Sequence, residues 1–530
     1  GARMSKPIVS RRQFSTTAAA MTGVGIVGLA NTALAEEVAW DGEYDVVVVG
    51  MGFAGCVSAI SAADEGAKVL LVDKAPEGSA GGNSRVSGQC IQATDDAEAM
   101  YTYLSALMGD FPDWDPDVLR AHVDGTAEQF DWLVNTMGAD ANILVQDESW
   151  DTKCSKGYLT DKFGGKNGYT QQWAEFPEYE GSEHCLSFLV SGKSFDSAFY
   201  QLCLDNVAKR NIEVRYAAAG KHLIFDEGRN VIGVQLELES GETQNMKAAG
   251  GVVLACGGYE NNQEMMASFM QQPENYTYGC VYNTGDGIVM GQEAGASFWH
   301  MSNGVAFMWG YLPEGATACA WPPMSTTKGI FVGPSGSRYV NEQGESRHGR
   351  INIGGAFLIR QTPRPTYAVM DSSLAAQYKF HPSFSDGNAD EIADGTLISG
   401  ETLADLAAAM GVDAANLEKT VERYNEDYAA GRDADYGRPF DKMFGPLEQG
   451  PYYALKLVPV LLNTQGGPRR NAKAQVVRPD LEPVGGLFSA GELGALWPDN
   501  YNGGGNIGEC CTFGRLAGRN AAKRAKGEEL

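Results

Sequence analysis

The fold is decided by residues 44–55, whose sequence is YDVVVVGMGFAG. Its apolar first half is typical of a strand buried on both faces of a parallel sheet. Gly50, Gly52 and Gly55 follow, and an alanine-rich stretch after them predicts a helix. Such glycines allow a tight turn, a close approach of backbone to a pyrophosphate and close packing of helix on strand. The stretch therefore predicts the first βα unit of a dinucleotide-binding fold.

A second strand is predicted over residues 68–72, and it ends in Asp73. A carboxylate about twenty residues after the glycines accepts hydrogen bonds from a ribose. A lone glycine motif is a weak signal, but strand, turn, helix, strand and acid in register form a strong one. The alternative is a glycine-rich turn without a ligand.

Four further segments extend this pattern along the chain. They are 81–84 (GGNS), 252–259 (VVLACGGY), 284–287 (TGDG) and 486–492 (GLFSAGE). Together, over roughly residues 44–524, they resemble the flavoprotein superfamily of fumarate reductases and 3-ketosteroid dehydrogenases. The resemblance implies an α/β fold, with a Rossmann-like FAD-binding domain whose parallel sheet is discontinuous in sequence, and an inserted α+β capping domain.

The resemblance also implies which residues hold the cofactor. Glu492 would bind the ribityl or ribose end, and the backbone of Gly504, Gly505 and Asn506 would face the isoalloxazine ring. Asn83 stands where members with covalent flavin carry a histidine, so we expect non-covalent FAD. The residues expected to bind FAD are Gly50, Gly52, Gly55, Asp73, Gly82, Asn83, Ser84, Ala255, Gly257, Asp286, Glu492, Gly504, Asn506 and Ile507.

Length and charge agree with this interpretation. The 530 residues exceed one ordinary domain, and the hydrophobic content of 43% is enough for large cores. We expect an FAD-binding domain of residues 36–302 and 463–530, with a capping domain of residues 303–462 between its two parts. The formal net charge of −26 makes nucleic acid and anionic membrane surfaces poor partners.

The first 35 residues indicate where the protein works. The sequence SRRQF at residues 10–14 precedes an apolar stretch over 18–34 that ends in small residues. This pattern predicts a twin-arginine signal peptide over residues 1–35, and hence a periplasmic location or one on the outer face of the cytoplasmic membrane. A chance basic terminus or a membrane anchor is the alternative, although the stretch is short and glycine-rich for a spanning helix.

Cysteine and histidine spacings predict no catalytic metal. The ten cysteines form no CxxC, CxxCH or ferredoxin-type pattern, and the six histidines show no paired ligand spacing. We expect most cysteines to be small buried hydrophobes. Disulfides, or a cluster built from distant cysteines, remain open for an exported protein.

Three positions argue against a dicarboxylate substrate. Fumarate reductases of the family carry two histidines and an arginine as the carboxylate clamp, and by alignment these positions are Phe307, Asn463 and Asn502 here. Burying a dicarboxylate needs charge-assisted partners, so a neutral, larger and more apolar substrate is expected. Residues that could line its pocket, or form ordinary core, are Trp299, Phe307, Met308, Trp309, Tyr311, Trp321 and Met324.

The loop before the last helix resembles that of 3-ketosteroid dehydrogenases. Residues 501–505 (YNGGG) and 511–514 (CTFG) match their Tyr-Pro-Gly-Ala-Gly element and the following Thr-Phe-Gly helix. The resemblance implies that the Tyr501 hydroxyl and the Gly505 N–H bind a ketone or lactone oxygen and stabilise the enolate that follows hydride transfer. The alternative is a buried tyrosine that only caps the flavin loop.

The expected proton donor is Arg347. In family fumarate reductases the donor arginine stands four residues after a glutamate, a place that Ser346 occupies here, one residue before Arg347. A one-residue insertion would bring Arg347 into position, with Glu345 or Glu342 as a relay partner because arginine alone has too high a pKa. The alternative is a surface basic cluster. The tyrosine base of ketosteroid dehydrogenases is absent, which favours reduction.

The sequence therefore predicts an exported FAD-dependent oxidoreductase acting on CH–CH groups. The expected substrate is a neutral, bulky α,β-unsaturated carbonyl compound: an enone, steroid, unsaturated lactone or aromatic propenoyl compound. Exported ene-reductases such as the cardiac glycoside reductases are similar. Electrons would come from an external donor such as a membrane quinol-linked cytochrome or a flavin carrier. The alternatives are an oxidative 3-ketosteroid dehydrogenase and an electron-relay flavoprotein without its own substrate.

Overall fold

The first predicted strand, Gly42–Val49, lies inside an eight-stranded sheet in the computed structural model of the protein. The structure describes residues 38–141, 170–172, 174–305, 307–359 and 363–530, and the expected signal peptide lies outside these ranges. Residues Trp40–Leu530 form one compact unit. Within the described ranges, no helix is both long and apolar enough to cross a membrane.

Distant parts of the chain build the large sheet. Gly42–Val49 pairs in parallel with Val69–Val72 on one side and with Thr243–Leu254 on the other, and Pro483–Ser489 adds a further parallel strand. Across the sheet the order is Gln475–Val477, Pro483–Ser489, Thr243–Leu254, Gly42–Val49, Val69–Val72 and Glu213–Arg215, with the hairpin Ala218–Phe225 and Val231–Leu238 attached to Thr243–Leu254. This topology confirms the predicted Rossmann-like fold and its sequence discontinuity.

Two helices pack tightly against each other beside this sheet. The helix Phe53–Asp64 follows the glycine turn, and Gly505–Ala525 closes the chain. A Cβ atom built at Gly518 would lie 2.0 Å from the carbonyl oxygen of Ser58. Glycine therefore sets the distance between the two helices that frame the cofactor end of the sheet.

Substituting this glycine tests that contact. We expect Gly518→Val to lower the free energy of unfolding by at least ~2 kcal/mol, because the added side chain must displace backbone rather than a flexible side chain. The denaturation midpoint measures the effect. Arg519→Ala, at a side chain that is 45% exposed on the same helix, should shift stability by less than ~0.5 kcal/mol. Equal midpoints for Gly518→Val and the parent protein would contradict the packing argument.

A second, antiparallel sheet belongs to the segment 303–462. In order its strands are Met308–Gly310, Tyr452–Val460, Thr366–Asp371 and Ile330–Val332, with Ile398–Gly400 also paired to Tyr452–Val460. The helices Leu403–Met410 and Ala414–Ala429 pack on a separate apolar core with it. Gly304–Val305 and Asn463–Thr464 pair where the chain enters and leaves this segment. We propose that the FAD-binding domain and the capping domain divide at these points.

Shorter elements complete the structure. The remaining α- and π-helices of the described ranges are Gly82–Val86, Ala97–Leu107, Pro116–Ala127, Gln129–Asp131, Trp132–Thr136, Ala198–Lys209, Gln263–Met270, Asp286–Glu293, Ser372–Gln377 and Ala389–Ala393, and the 3₁₀ helices are Glu77–Ser79, Ser182–His184, Asp386–Asn388 and Phe440–Lys442. The remaining strands are Ile91–Ala93, Thr170–Gln172, Leu186–Phe188, Phe298–Trp299, Ser346–Arg347, Arg350–Ile353, Ala356–Leu358 and Gly467–Pro468. Of the nine cysteines in the described part of the chain, the eight other than Cys90 are free thiols, and six of these eight are buried; Cys154 lies outside it.

Candidate active site

A cleft opens beside the glycine turn at the carboxyl ends of the parallel strands. The predicted cofactor residues on its wall are Gly50, Gly52, Asp73, Gly82, Asn83, Ser84, Ala255, Gly257, Asp286 and Glu492. Gly55 is not on the wall, because a Cβ atom there would lie 1.7 Å from the carbonyl oxygen of Gly50. Its role is to bring helix close to strand, which is what the third glycine of the motif requires.

Asp73 is held beside the turn by backbone donors. Its Oδ2 accepts the Met51 N–H at 3.1 Å, and its Oδ1 accepts the Ala75 N–H at 2.8 Å. Burial raises the pKa of Asp73, while these N–H donors act in the opposite direction. Asp286, farther along the cleft, is bound by Lys74, whose Nζ lies 2.9 Å from Oδ2. Both carboxylates are thus fixed before a ligand arrives.

A buried carboxylate pair lies at the far end of the cleft. The Asn83 side-chain amide donates to Glu260 at 2.9 Å and to Glu492 at 3.3 Å, and its oxygen accepts the Cys280 N–H. Burial and the neighbouring Glu260 raise the pKa of Glu492 well above its ordinary value. Asn506 Oδ1 is buried without a hydrogen-bond partner among the described residues, whereas Glu492 shares a hydrogen bond with Glu260 that requires a proton on one of the two carboxyls. Since buried polar atoms are normally satisfied, the Asn506 oxygen suits a ligand that brings a hydroxyl or N–H donor.

A second cavity of about 280 Å³ continues from this end of the cleft. The residues on both walls are Asn83, Ser84, Glu492 and Cys510. Gly504, Asn506 and Ile507 line the second cavity, as expected of residues that face a flavin ring, and Tyr501 lies on the same wall. The two predicted sets, cofactor and substrate residues, therefore meet in one continuous space.

Tyr501 presents its hydroxyl in a fixed orientation. Its ring packs edge-on against Trp497 and His348, with centroids 5.8 and 5.0 Å away. The hydroxyl oxygen accepts the Asn506 N–H at 3.0 Å, which leaves the O–H to donate. Burial raises the pKa of Tyr501, so the hydroxyl stays protonated at neutral pH.

Gly505 takes a different place from the one expected. Its N–H donates to the carbonyl oxygen of Asn502 at 3.0 Å and closes the turn before the last helix. Gly504 and Asn506 border the cavity, but Gly505 does not. The turn thus uses the N–H that sequence reasoning assigned to a substrate oxygen, and Tyr501 is the donor of this loop that the cavity retains.

The three residues that stand at the carboxylate-clamp positions lie in different surroundings. Phe307 is buried in an apolar core with Leu461, and Asn463 lies on the cavity wall. Asn502 is buried beneath the cavity, where its oxygen accepts the Tyr103 hydroxyl at 2.6 Å and the Glu175 N–H at 2.9 Å. Asn502 therefore supports the loop instead of binding a substrate.

The cavity wall is mostly apolar. Among the residues that the structure describes, no lysine or arginine lies on it. Three aromatic side chains gather at one side: Phe195 and Tyr278 have ring centroids 4.9 and 5.2 Å from that of Trp321. Phe195 and Trp321 are each about half exposed, so this aromatic cluster also faces solvent.

The sequence anticipated part of this wall. Of the aromatic and methionine residues expected there, Met308 and Trp321 line the cavity, and the others do not. Trp299 stacks on His300, and Trp309 packs at a tilt against Phe331 in the second sheet. Phe307, Tyr311 and Met324 belong to or border apolar cores. Phe195 and Tyr278 were missed, since no local pattern links them to Trp321.

Arg347 does not line the cavity. Its guanidinium binds Glu178 and Glu345, and it lies 3.9 Å over the ring of Phe357. Burial would lower the pKa of Arg347, but the two carboxylates raise it. Glu342, the other suggested relay, is occupied by Arg338. The following residue, His348, is the one that reaches the cavity wall.

Comparison with known proteins agrees with the architecture. The model of a family described as FAD binding domain matches residues 45–507. The chain is 28% identical to the fumarate reductase (cytochrome) of Shewanella frigidimarina, covering 91% of this chain and 77% of that protein. It is also 28% identical to the 3-oxosteroid 1-dehydrogenase of Mycobacterium tuberculosis, covering 91% and 99%. The open conformation of a flavocytochrome c3 fumarate reductase superposes with a TM-score of 0.65 at 26% identity, covering 92% of this chain and 79% of that one.

Proposed function

The chain belongs to the FAD binding domain family and is an FAD-dependent oxidoreductase acting on CH–CH groups, and we propose that it reduces a C=C bond conjugated to a carbonyl in a neutral, bulky substrate. The glycine turn, Asp73, Glu492 and the unpartnered oxygen of Asn506 suit the pyrophosphate, ribose and flavin portions of the cofactor. The flavin would be held non-covalently, since an amide, Asn83, stands at the expected attachment position.

The observation that carries the proposal is the absence of lysine and arginine from the described cavity wall. A carboxylate that enters an apolar cavity without a lysine or arginine partner loses its hydration at a cost of several kcal/mol, and the imidazole on this wall, His348, is already paired with Glu175. Fumarate and succinate carry two such groups. The carbonyl oxygen of a ketone, lactone or ester needs only a hydrogen-bond donor, which Tyr501 supplies.

The residues of the cavity would act on the carbonyl. The Tyr501 hydroxyl donates to the carbonyl oxygen and withdraws electron density from the conjugated alkene, so that the β-carbon becomes electrophilic. When reduced, FAD supplies hydride chemistry at this site. The same hydroxyl stabilises the negative charge that develops on the oxygen, in a cavity where little water competes for it.

The aromatic cluster supports a planar or apolar substrate body. Phe195, Tyr278 and Trp321 offer ring faces and edges near the cavity opening. Aromatic pairs gain about 0.5–1.5 kcal/mol beyond the area they bury. Among the compounds expected from sequence, aromatic propenoyl compounds and steroids would use this surface best.

Export and electron supply are parts of the same proposal. The residues that suggest a twin-arginine signal would place the enzyme in the periplasm or on the outer face of the cytoplasmic membrane. An external donor, such as a membrane quinol-linked cytochrome or a flavin carrier, would then reduce the cofactor.

An anaerobic acceptor panel tests the function. The holoenzyme, reduced with methyl viologen, is mixed with enones, unsaturated lactones, cinnamate esters and 3-ketosteroids, and flavin reoxidation is followed. We expect rapid reoxidation by at least one neutral acceptor. Turnover only of a saturated 3-ketosteroid with an artificial oxidant would indicate the oxidative steroid dehydrogenase, and no reoxidation by any compound would indicate an electron relay.

A further inference from the structure

A tight hairpin carries one histidine to the cavity wall. Arg347 pairs with Arg350 across the hairpin, so His348 and Gly349 are its two turn residues. Their φ angles are +45° and +82°, the left-handed region that a type I′ turn requires at both positions. Glycine adopts this conformation readily and histidine does so less often. The chain thus accepts a backbone cost at the residue whose side chain reaches the cavity, a pattern that points to function.

The base of the hairpin is anchored in the interior. The buried guanidinium of Arg350 donates to the carbonyl oxygens of Gly304, at 3.4 Å, and Asp499, and to the side-chain oxygen of Asn303. Burial lowers the pKa of Arg350 to about 10, which still leaves it charged at neutral pH. These bonds fix the turn in front of the cavity.

Glu175 fixes the imidazole itself. His348 Nδ1 lies 2.6 Å from both carboxylate oxygens of Glu175. One of these oxygens also accepts the Gly503 N–H at 2.6 Å, and the Glu175 N–H donates to Asn502 at 2.9 Å. The carboxylate therefore ties the imidazole to the loop that carries Tyr501, and Nε2 is the ring nitrogen on the side opposite to the carboxylate.

We infer that His348 is the proton donor for the reduction and that Glu175 positions it. The inference rests on the proposed function. Nearby charged groups are bound to other partners: Arg347 to Glu178 and Glu345, and Arg350 to the interior anchor. His348 and Tyr501 line the same cavity and their ring centroids lie 5.0 Å apart, so a carbonyl compound held by Tyr501 would lie within reach of the imidazole.

The hydride and the proton reach different carbons of the alkene. The β-carbon receives a hydride with both electrons from the reduced cofactor, and the alkene π electrons move to form an enolate whose oxygen Tyr501 holds. The α-carbon then forms a C–H bond with the proton of His348 Nε2, whose N–H bond breaks. The imidazolium becomes a neutral imidazole, and its remaining proton on Nδ1 stays hydrogen-bonded to Glu175. Solvent restores the Nε2 proton afterwards.

Stopped-flow reoxidation of the reduced holoenzyme tests this assignment. With a neutral acceptor from the panel, we expect His348→Gln to slow reoxidation by about 100-fold or more, with FAD content and acceptor binding unchanged. Glu175→Gln should slow it by about tenfold or more. His222→Gln is the matched control, because His222 Nδ1 also contacts a glutamate, Glu293, but lies away from the cavity.

A second readout does not depend on turnover. The proton in the short bond between His348 Nδ1 and Glu175 should give a downfield ¹H NMR signal that is lost in both His348→Gln and Glu175→Gln and kept in His222→Gln. If His348→Gln fails to bind FAD, Glu175→Gln, which retains the imidazole, still tests the pair. A signal that persists in both variants overturns the positioning role of Glu175.

The outcomes separate the two proposals. Unchanged reoxidation in His348→Gln, or its loss in Arg347→Gln instead, overturns the His348 assignment while leaving the function standing. A parent enzyme that no unsaturated acceptor reoxidises overturns the proposed function, and the donor role of His348 with it.

Discussion

Replacing Tyr501 by phenylalanine should slow substrate-dependent reoxidation of the flavin by about 10²- to 10³-fold, the usual cost of losing one fixed donor to a developing oxyanion. The ring is buried between Trp497 and His348, so phenylalanine keeps the packing and removes only the hydroxyl. FAD content should stay nearly the same, because the substitution removes one hydrogen bond of the loop, that from the Asn506 N–H, and leaves the other residues of the cleft unchanged. Stopped-flow absorbance of the reduced enzyme with a neutral acceptor measures the effect.

The matched control is Tyr367→Phe. Tyr367 is a buried tyrosine of the second sheet, and its hydroxyl donates to the Met410 carbonyl oxygen at 2.7 Å. The Tyr367→Phe variant loses the same oxygen atom and a comparable hydrogen bond, but far from the cavity. Its rate of flavin reoxidation should therefore equal that of the parent enzyme. Equal rates in Tyr501→Phe and Tyr367→Phe would reduce Tyr501 to a residue that caps the flavin loop.

Replacing Gly82 by leucine should abolish FAD binding without unfolding the chain. Gly82 lies on the cleft wall with φ +57°, and a Cβ atom there meets no protein atom within 4 Å. A leucine therefore clashes with no neighbour and occupies space beside the cofactor. We expect purified Gly82→Leu to contain less than a tenth of the FAD of the parent protein, a loss of at least ~1.4 kcal/mol of binding free energy.

Gly66→Leu separates occlusion from backbone strain. Gly66 is exposed in the turn after the first helix, has φ +84° and likewise meets nothing within 4 Å. Both substitutions place leucine in the left-handed region, which costs about 1–2 kcal/mol, but only Gly82 borders the cleft. Full FAD content in Gly82→Leu, or equal losses in both variants, would contradict the position assigned to the cofactor. Absorbance at the flavin band against protein concentration gives the ratio.

The cofactor half of the site could be predicted because its signals are local. Gly50, Gly52 and Gly55 each do what a βα turn of this type demands, and Asp73 follows at the spacing of the second strand. Glu492 and Asn506 were assigned through resemblance, and the structure places both on the wall of the cavity next to the cleft, where Asn506 has a buried oxygen without a partner among the described residues. Geometry that depends on residues close together in the chain can therefore be predicted from the sequence.

The substrate half depended on long-range packing. Phe195, Tyr278 and Trp321 come from three separate segments, and no spacing rule connects them. Sequence alone assigned the Gly505 N–H to a substrate oxygen. Its hydrogen bond to the Asn502 carbonyl oxygen depends on how the turn closes, which only the folded chain shows.

The inferred proton donor, His348, shows the same limit. Counting residues from Glu342 favoured Arg347, but the two-residue turn reverses the side-chain direction and brings His348 to the cavity instead. Its partner Glu175 is distant in sequence, so pairing the two required the folded chain.

A matched pair of acceptors tests the central claim most directly. Fumarate and dimethyl fumarate share one alkene and differ in charge, so their rates of reoxidising the reduced holoenzyme, corrected for free reduced FAD, isolate what the cavity does to a carboxylate. We predict that the neutral diester is faster by at least about 100-fold, because each unpaired carboxylate costs several kcal/mol to bury. Reoxidation by fumarate at an equal or higher rate would contradict the account and would mean that a cationic clamp reaches the cavity after all.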